Sequence, residues 1–305
     1  MINPDISIKK VPIDESQSTG ERLLTGYYDR FTIEHLHRYG LAATLAKDMD
    51  VLDIACGEGY GSHFLASVAN SVFGVDIDSG TVEHAARKYV VQNLTFVVGS
   101  ADCIPLESAS VDLVVSFETL EHHSRHEEMY AEIKRVLRPN GVLIISTPDK
   151  YFFSDLTGHR NAYHVKELYV EEFSALNQRY FRHAEMYSQK VMFGSLILPH
   201  QSRKCSFSIL TGDHSQINSH RSIPEPTYHI CLASDAELND LGYSVFDGER
   251  VFDEMETLLA RYAQSMSQLE NNFKSLQKTT FDLKQSVSYR LGNMLIWPIK
   301  IIFRR

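Results

Sequence analysis

Cysteine is scarce and scattered. Four occur in 305 residues, at Cys56, Cys103, Cys205 and Cys231. None forms a CxxC pair or the Cys/His spacing of a structural zinc site, so no metal site is expected and the thiols read as reduced. Positive charge is also short. Thirty Lys and Arg against 39 Asp and Glu leave a net charge of −9, and a general nucleic-acid binder usually presents a net basic face. No apolar stretch reaches the ~18–20 residues that span a bilayer. The first residues, Met1-Ile-Asn-Pro-Asp-Ile6, have neither the basic start nor the apolar run of an export signal. A cytoplasmic chain, at most peripheral at the inner face of the membrane, is expected. The remaining composition, 43% hydrophobic and 23% charged, suffices for a soluble domain with a sizeable core.

Along the chain, residues 1–24 are polar and unpatterned and read as a flexible lead-in. Tyr28–Lys47 has helical spacing. Apolar strands then alternate with helices: strands at Val51–Ala55, Ser71–Ile77, Leu94–Val98, Val111–Phe117 and Val142–Ser146, with helices at Gly61–Ala69 and Thr81–Val91. Ser124-Arg-His-Glu127 has the form of a capping box and predicts a helix to about Leu137, with a turn at Pro139-Asn-Gly141. Strands without polar alternation, separated by helices, predict a parallel sheet covered on both faces. Further on, Lys166–Phe181 reads as helix and Ala184–Val191 and Thr227–Ala233 as strands, around an inserted loop at about 194–224. This domain runs from 25 to 248. From 249 to 290, Val251, Met255, Leu258, Tyr262, Met266, Leu269, Phe273, Leu276, Thr280, Leu283 and Val287 recur in steps of four and three. That spacing is a coiled-coil seam, for self-association or for one helix packed back on the domain. Residues 291–305 are apolar, contain Trp297 and are flanked by cations; they suit an interfacial membrane anchor or a partner helix.

The most informative stretch is Asp53-Ile-Ala-Cys-Gly57-Glu-Gly59-Tyr-Gly61, at the carboxyl end of the first strand, where parallel-sheet proteins bind ligands. Alternate glycines let backbone approach a ligand without a Cβ. Asp76, ending the second strand, can accept hydrogen bonds from both hydroxyls of a ribose. The third glycine of a G-x-G-x-x-G dinucleotide fingerprint falls on Ser62, and the loop has no Gly-Lys-Ser/Thr of a P-loop. An acid at the front of the loop opposes a phosphate but suits a cation. S-adenosylmethionine, a nucleoside with a sulfonium, an ammonium and no phosphate, fits those charges.

The run Val51-Leu-Asp-Ile-Ala-Cys-Gly-Glu-Gly-Tyr-Gly-Ser62 resembles the first motif of class I S-adenosylmethionine-dependent methyltransferases. Gly74-Val-Asp-Ile-Asp78, Ala101-Asp-Cys-Ile-Pro-Leu106, Val111-Asp-Leu-Val-Val-Ser-Phe-Glu-Thr-Leu-Glu-His122 and Arg135-Val-Leu-Arg-Pro-Asn-Gly-Val-Leu-Ile-Ile-Ser-Thr-Pro148 follow in the family's order. The resemblance implies an α/β, Rossmann-like fold with a mostly parallel seven-stranded sheet and helices on both faces, here followed by a helical, coiled-coil tail. By position, Asp53 with the Ala55, Gly57 and Gly59 backbone would hold the methionine end. Asp76 would take the ribose hydroxyls, with Ile77 against the adenine. The Ala101 amide and the Asp102 side chain would read the adenine edge, and Phe117 and Glu118 would border the sulfonium. The family often has Gly-Asp-Ala where this chain has Gly99-Ser-Ala101, so the adenine-reading acid is Asp102 or there is none.

Methyl transfer to a hydroxyl is served by alignment and by a base that takes the acceptor proton. Histidine suits that work at neutral pH. His164, in Asn161-Ala-Tyr-His-Val-Lys-Glu167, is the first candidate and His122 the second; helix-capping or polar-core roles are the plainer readings of each. Arg22, Arg38 and Tyr39 are placed to cover the cofactor or contact the acceptor, with helix-surface and packing roles the plainer readings. Gly20-Glu-Arg22, Glu34-His-Leu-His-Arg-Tyr-Gly-Leu-Ala42, His164-Val-Lys-Glu-Leu168 and Ser286-Val-Ser-Tyr-Arg-Leu-Gly292 are similar to a subgroup associated with bacterial O-antigen and surface-polysaccharide biosynthesis. That implies a sugar hydroxyl of a glycan or glycan precursor as acceptor. A small metabolite such as a quinone or natural-product intermediate, or a non-catalytic scaffold that keeps the cofactor fold, are the other readings.

Overall fold

The computed structural model describes residues 25, 28–192, 208–212, 216–292 and 294. The lead-in 1–24, Arg22, Cys205, most of the loop 194–224 and nearly all of the tail 291–305 lie outside the described residues. The chain divides into two units, Met1–Gly248 and Glu249–Arg305.

The first unit begins with α1 (Arg30–Leu45), whose N-cap Asp29 accepts from the Thr32 amide at 2.9 Å. In chain order follow β1 (Asp50–Ile54), α2 (Tyr60–Ala66), β2 (Ser71–Asp76), α3 (Ser79–Lys88), β3 (Leu94–Val98), β4 (Val111–Phe117), α4 (His126–Val136), β5 (Leu137–Pro148), α5 (Val170–Tyr180), β6 (His183–Gln189), a hairpin of β7 (Ile209–Gly212) and β8 (Ile217–His220), and β9 (Tyr228–Ser234). Seven strands form one sheet in the order β3-β2-β1-β4-β5-β9-β6, all parallel except β9, which is antiparallel to both neighbours.

Strand alternation divides the core in two. Val51, Leu113, Val115 and Ile144 face one side with Tyr39 and Ala42 of α1 and Leu65 of α2. Leu52, Val114, Leu143 and Ile145 face the other with Met129 and Ile133 of α4 and Phe173 of α5. Each buried aliphatic side chain contributes about 1.5–3 kcal/mol of transfer free energy, so the two layers hold the helices on both faces. The sheet order reverses between β1 and β4. At such a switch point the connections leave in opposite directions and a crevice opens at the strands' carboxyl ends.

Three local expectations fail for tertiary reasons. The capping box at Ser124 does not form: α4 starts at His126 with Arg125 as N-cap and no side-chain cap. Glu127 instead receives hydrogen bonds from Arg179 and the Tyr180 hydroxyl. The turn at Pro139-Asn-Gly141 is an irregularity within β5, because Leu137 pairs with Val111 and Val142 with Leu113. The helix expected from Lys166 starts at Val170, since Leu168 bridges to Asp149.

The second unit contains α6, Glu249–Gln285. Along it Leu259, Tyr262, Met266, Leu269, Phe273, Leu276 and Leu283 are exposed. No helix among the described residues is long and apolar enough to cross a membrane.

Candidate active site

The carboxyl ends of β1, β2 and β4 open into a cavity of about 940 Å³, the size of a site for one cofactor and a small acceptor. Ile54–Glu58 after β1, Asp76 and Ile77 after β2, Gly99–Ala101 after β3 and Phe117–Thr119 after β4 line it. Its other wall comes from Glu121, His122, Phe153, residues 159–164 and Tyr228.

The loop after β1 carries backbone strain. Ala55 has φ 56° and Gly57 φ 55°, the left-handed region that disfavours a side chain. A Cβ at Gly57 would meet nothing within 4 Å, so glycine serves the conformation there and leaves bare backbone toward the cavity. Asp76 fixes this turn: Oδ2 accepts the Gly57 amide at 2.9 Å and Oδ1 the Asp78 amide at 3.0 Å. The Asp76 carboxylate lines the cavity beside this turn.

Two loop residues have other work. Gly59 (φ 89°) is not among the lining residues; a Cβ there would stand 2.7 Å from the Phe96 ring and 2.9 Å from Ala85. It lets α2 start against β3 and α3. Asp53 does not line the cavity either. It is fully buried on the α1–α2 side of the sheet, accepting from the Ser62 hydroxyl at 2.6 Å and the Tyr39 hydroxyl at 3.2 Å. Burial pushes its carboxyl up to about 7, while the Ser62 and Tyr39 hydrogen bonds pull it down.

The adenine side is divided in the same way. Ile77, 72% exposed, and Ala101 line the cavity. Asp102 lies outside the lining and pairs with Arg125 at 2.5 Å and with the Ser100 hydroxyl. The Ser100 hydrogen bond and the Arg125 charge hold its carboxyl below the usual range.

Glu118 closes β4 with φ 50°. Its carboxylate pairs with Arg38 Nη1 at 2.8 Å and accepts from Ser146 Oγ at 2.6 Å. Arg38 is not a helix-surface residue: it is 1% exposed, donates from Nε to Gln189 Oε1 at 2.7 Å and lies over the Tyr228 ring at 4.5 Å. Four separate segments meet at this one guanidinium, a convergence that no local sequence signal could show. Beside it His35 lines the cavity, with Nδ1 3.1 Å from the Tyr60 hydroxyl, and burial lowers its pKa to about 3.

His122 and His164 come together, their rings edge to face with centroids 5.2 Å apart. The Glu121 carbonyl accepts from the Val165 and Lys166 amides at 2.7 and 3.1 Å, which ties the second segment to the short helical turn after β4. His164 stacks on Phe153, and its Nδ1 lies 2.5 Å from Glu167 Oε1. His122 Nδ1 lies 3.2 Å from the Tyr163 carbonyl. Glu121 is buried; its Oε2 accepts from Thr147 Oγ1 at 3.2 Å. Burial and the neighbouring Glu118 charge both push its carboxyl up. Scattered cysteines gave no reason to expect ligand-type side chains in one place, yet one ligand atom each from Glu121, His122 and His164 lies within 4.8 Å of the others.

Residues 52–145 match a family model described as a methyltransferase domain. Over 161 residues the chain is 37% identical to a Mycolicibacterium smegmatis protein named Probable S-adenosylmethionine-dependent methyltransferase, covering 52% of this chain and 62% of that one. It is 28% identical over 118 residues to the Fatty-acid O-methyltransferase of the same organism, covering 38% and 43%. A chain of the solved complex containing the Haloferax volcanii Trm112 methyltransferase activator superposes with a TM-score of 0.50 at 18% identity, over 69% of this chain and 94% of that one. That likeness concerns the fold. The chain spans 62% and 58% of the lengths of two of the curated relatives it matches.

Proposed function

We propose that this chain is an S-adenosylmethionine-dependent methyltransferase that O-methylates a sugar hydroxyl of a glycan or glycan precursor. The observation that carries the reading is the bare-backbone turn at Gly57, braced by Asp76 at the sheet's switch point and bordered by Glu118. The lining fits the cofactor on charge. Asp76, Glu118 and Glu121 are carboxylates, and the turn itself brings no lysine or arginine for a phosphate. Bound there, the cofactor supplies a methyl group on a sulfonium, already activated for displacement.

The chain's own residues then align and deprotonate. Asp76 receives the ribose hydroxyls; Ala55 and Gly57 present backbone to the methionine end, and Ile77 and Ala101 flank the adenine. Arg38 holds Glu118 rigidly at the end of β4, where the cofactor's charge comes to lie. Asp53, behind the turn, supports it through Tyr39 and Ser62 rather than by contact. His164 accepts the acceptor's proton, with Glu167 fixing the ring and stabilising the imidazolium; His122 stands as the second candidate. The polar wall of His159, Arg160 and Asn161 suits a polyhydroxylated acceptor.

A lipid acceptor is the second reading, favoured by the fatty-acid O-methyltransferase among the relatives. Incubation with methyl-labelled cofactor and either nucleotide- or lipid-linked glycans or free fatty acids, read by mass spectrometry, separates the two. Label on a glycan oxygen supports the first; label on the fatty acid alone removes it. Self-association runs through the apolar stripe of α6, and peripheral membrane contact through 291–305. No nucleic-acid partner is proposed.

A further inference from the structure

We propose that Glu121, His122 and His164 form a binding site for one divalent first-row cation at the acceptor end of the cavity. Glu121 Oε1 stands 4.0 Å from His122 Nε2, and all three ligand atoms fall within 4.8 Å of one another. Two ligands on a cation with bonds of about 2.0–2.2 Å stand about 3–3.5 Å apart, so the three side chains close on an ion by small rotations.

The surroundings of the two rings carry the argument further. Histidines that ligate metals usually donate their other ring N–H to a carboxylate or carbonyl, which fixes the tautomer and aims the free lone pair. Both rings have that arrangement: His164 Nδ1 faces the Glu167 carboxylate and His122 Nδ1 the Tyr163 carbonyl. With Nδ1 of each ring turned to an oxygen, Nε2 is the atom assigned to the ion on both. Glu167 is itself fixed by the Ser154 hydroxyl at 2.7 Å. Glu121 is 1% exposed, and its ion-pair partner among the described residues is His122 at 4.0 Å. A cation bound here would compensate a carboxylate in so buried a place. Glu118, the next acid in the wall, is already paired with Arg38, so Glu121 is the carboxyl that this wall offers as a ligand.

Two imidazoles and one carboxylate suit Mn²⁺ or Zn²⁺ better than an ion that demands oxygen alone. Three protein ligands leave at least one position open, where a hydroxyl of the acceptor can bind. This use rests on the methyl-transfer reading. With the ion present, His164 is a ligand, and this replaces the base role it has in the metal-free site. The coordinated hydroxyl, made more acidic by the ion, releases its proton to water.

The test uses the full chain, stripped of metal with a chelator that is then removed. Mn²⁺ is titrated and the free ion followed by its paramagnetic resonance signal, with Zn²⁺ competition and a separate calorimetric titration of S-adenosylmethionine. One equivalent of Mn²⁺ per chain is expected. His164→Ala and His122→Ala should each weaken it at least about tenfold, and Glu167→Gln by about 10- to 100-fold, with cofactor affinity unchanged. Circular dichroism checks the fold of each variant, and the half-exposed His122 provides a site tolerant of change. Cofactor binding without stoichiometric Mn²⁺ or Zn²⁺, or metal affinity equal in all variants, overturns the site and leaves methyl transfer standing. Metal binding that follows the variants without any cofactor binding does the opposite.

Discussion

Asp53→Asn reads the electrostatics beneath the turn. The aspartate accepts from Ser62 and Tyr39 in a site closed to solvent, and its pKa is about 7 against an ordinary 3.8. A group held above its unfolded value destabilises the fold once it must ionise. The folded chain therefore suffers no penalty from Asp53 below about pH 4, loses stability as pH rises from there to 7, and stays level above. Three units at about 1.4 kcal/mol each amount to about 4 kcal/mol in full, of which about 2.5 kcal/mol falls between pH 5 and pH 8. Asparagine is close to isosteric, accepts from Ser62 through its carbonyl and donates to the Tyr39 oxygen, so it keeps the geometry without the charge. Urea unfolding of the cofactor-free chain, followed by circular dichroism at pH 5, 6, 7 and 8, should show the variant gaining on the parent by about 2.5 kcal/mol across that range. A difference between the two proteins that stays flat with pH would refute the assignment of a raised pKa to this carboxyl.

Other substitutions address separate parts of the account. Gly61→Ala places a Cβ 2.0 Å from the Tyr39 ring, and overpacking of that kind lowers stability by about 1–3 kcal/mol; an unchanged melting temperature would mean that α1 and α2 are not packed this closely. Arg38→Met removes the partner of Glu118 and should destabilise the chain by about 3–5 kcal/mol, measured by chemical denaturation; a neutral result would show that the pair is not buried. His164→Ala should abolish transfer while calorimetry finds the cofactor's affinity unchanged, and retained turnover would take His164 out of the chemistry. Leu269→Glu with Leu276→Glu, both at exposed positions of α6, should convert an associated species to monomer in light scattering. Equal masses for the parent and the double variant would dismiss the seam.

The parts of the molecule legible in its sequence are those fixed by short range. Apolar runs such as Leu113-Val-Val115 mark strands buried on both faces, and Gly57 after β1 with Asp76 marks the turn that lines the cavity. The loss of the Ser124 capping box shows the limit of local pattern, because Glu127 finds stronger partners in Arg179 and Tyr180 on another helix. Arg38 is more telling still. Its role depends on Glu118, Ser146, Gln189 and Tyr228, brought together by three strand ends and the edge of the sheet. The orientation of Asp53 was open to a simple argument that motif matching passes over: it shares strand parity with Val51, so it faces the α1–α2 layer and not the cavity. The meeting of Glu121 with His164 rests on backbone hydrogen bonds between two distant loops, which nothing in either loop announces.

The central claim is that the crevice at the end of β1 receives a cationic nucleoside and not a pyrophosphate. Parallel calorimetric titrations of the full chain with S-adenosylmethionine and with NADH measure it directly. One equivalent of S-adenosylmethionine is expected to bind with measurable heat, weakened by Asp76→Ala, and no heat is expected for NADH. Binding of NADH with no response to S-adenosylmethionine would contradict it.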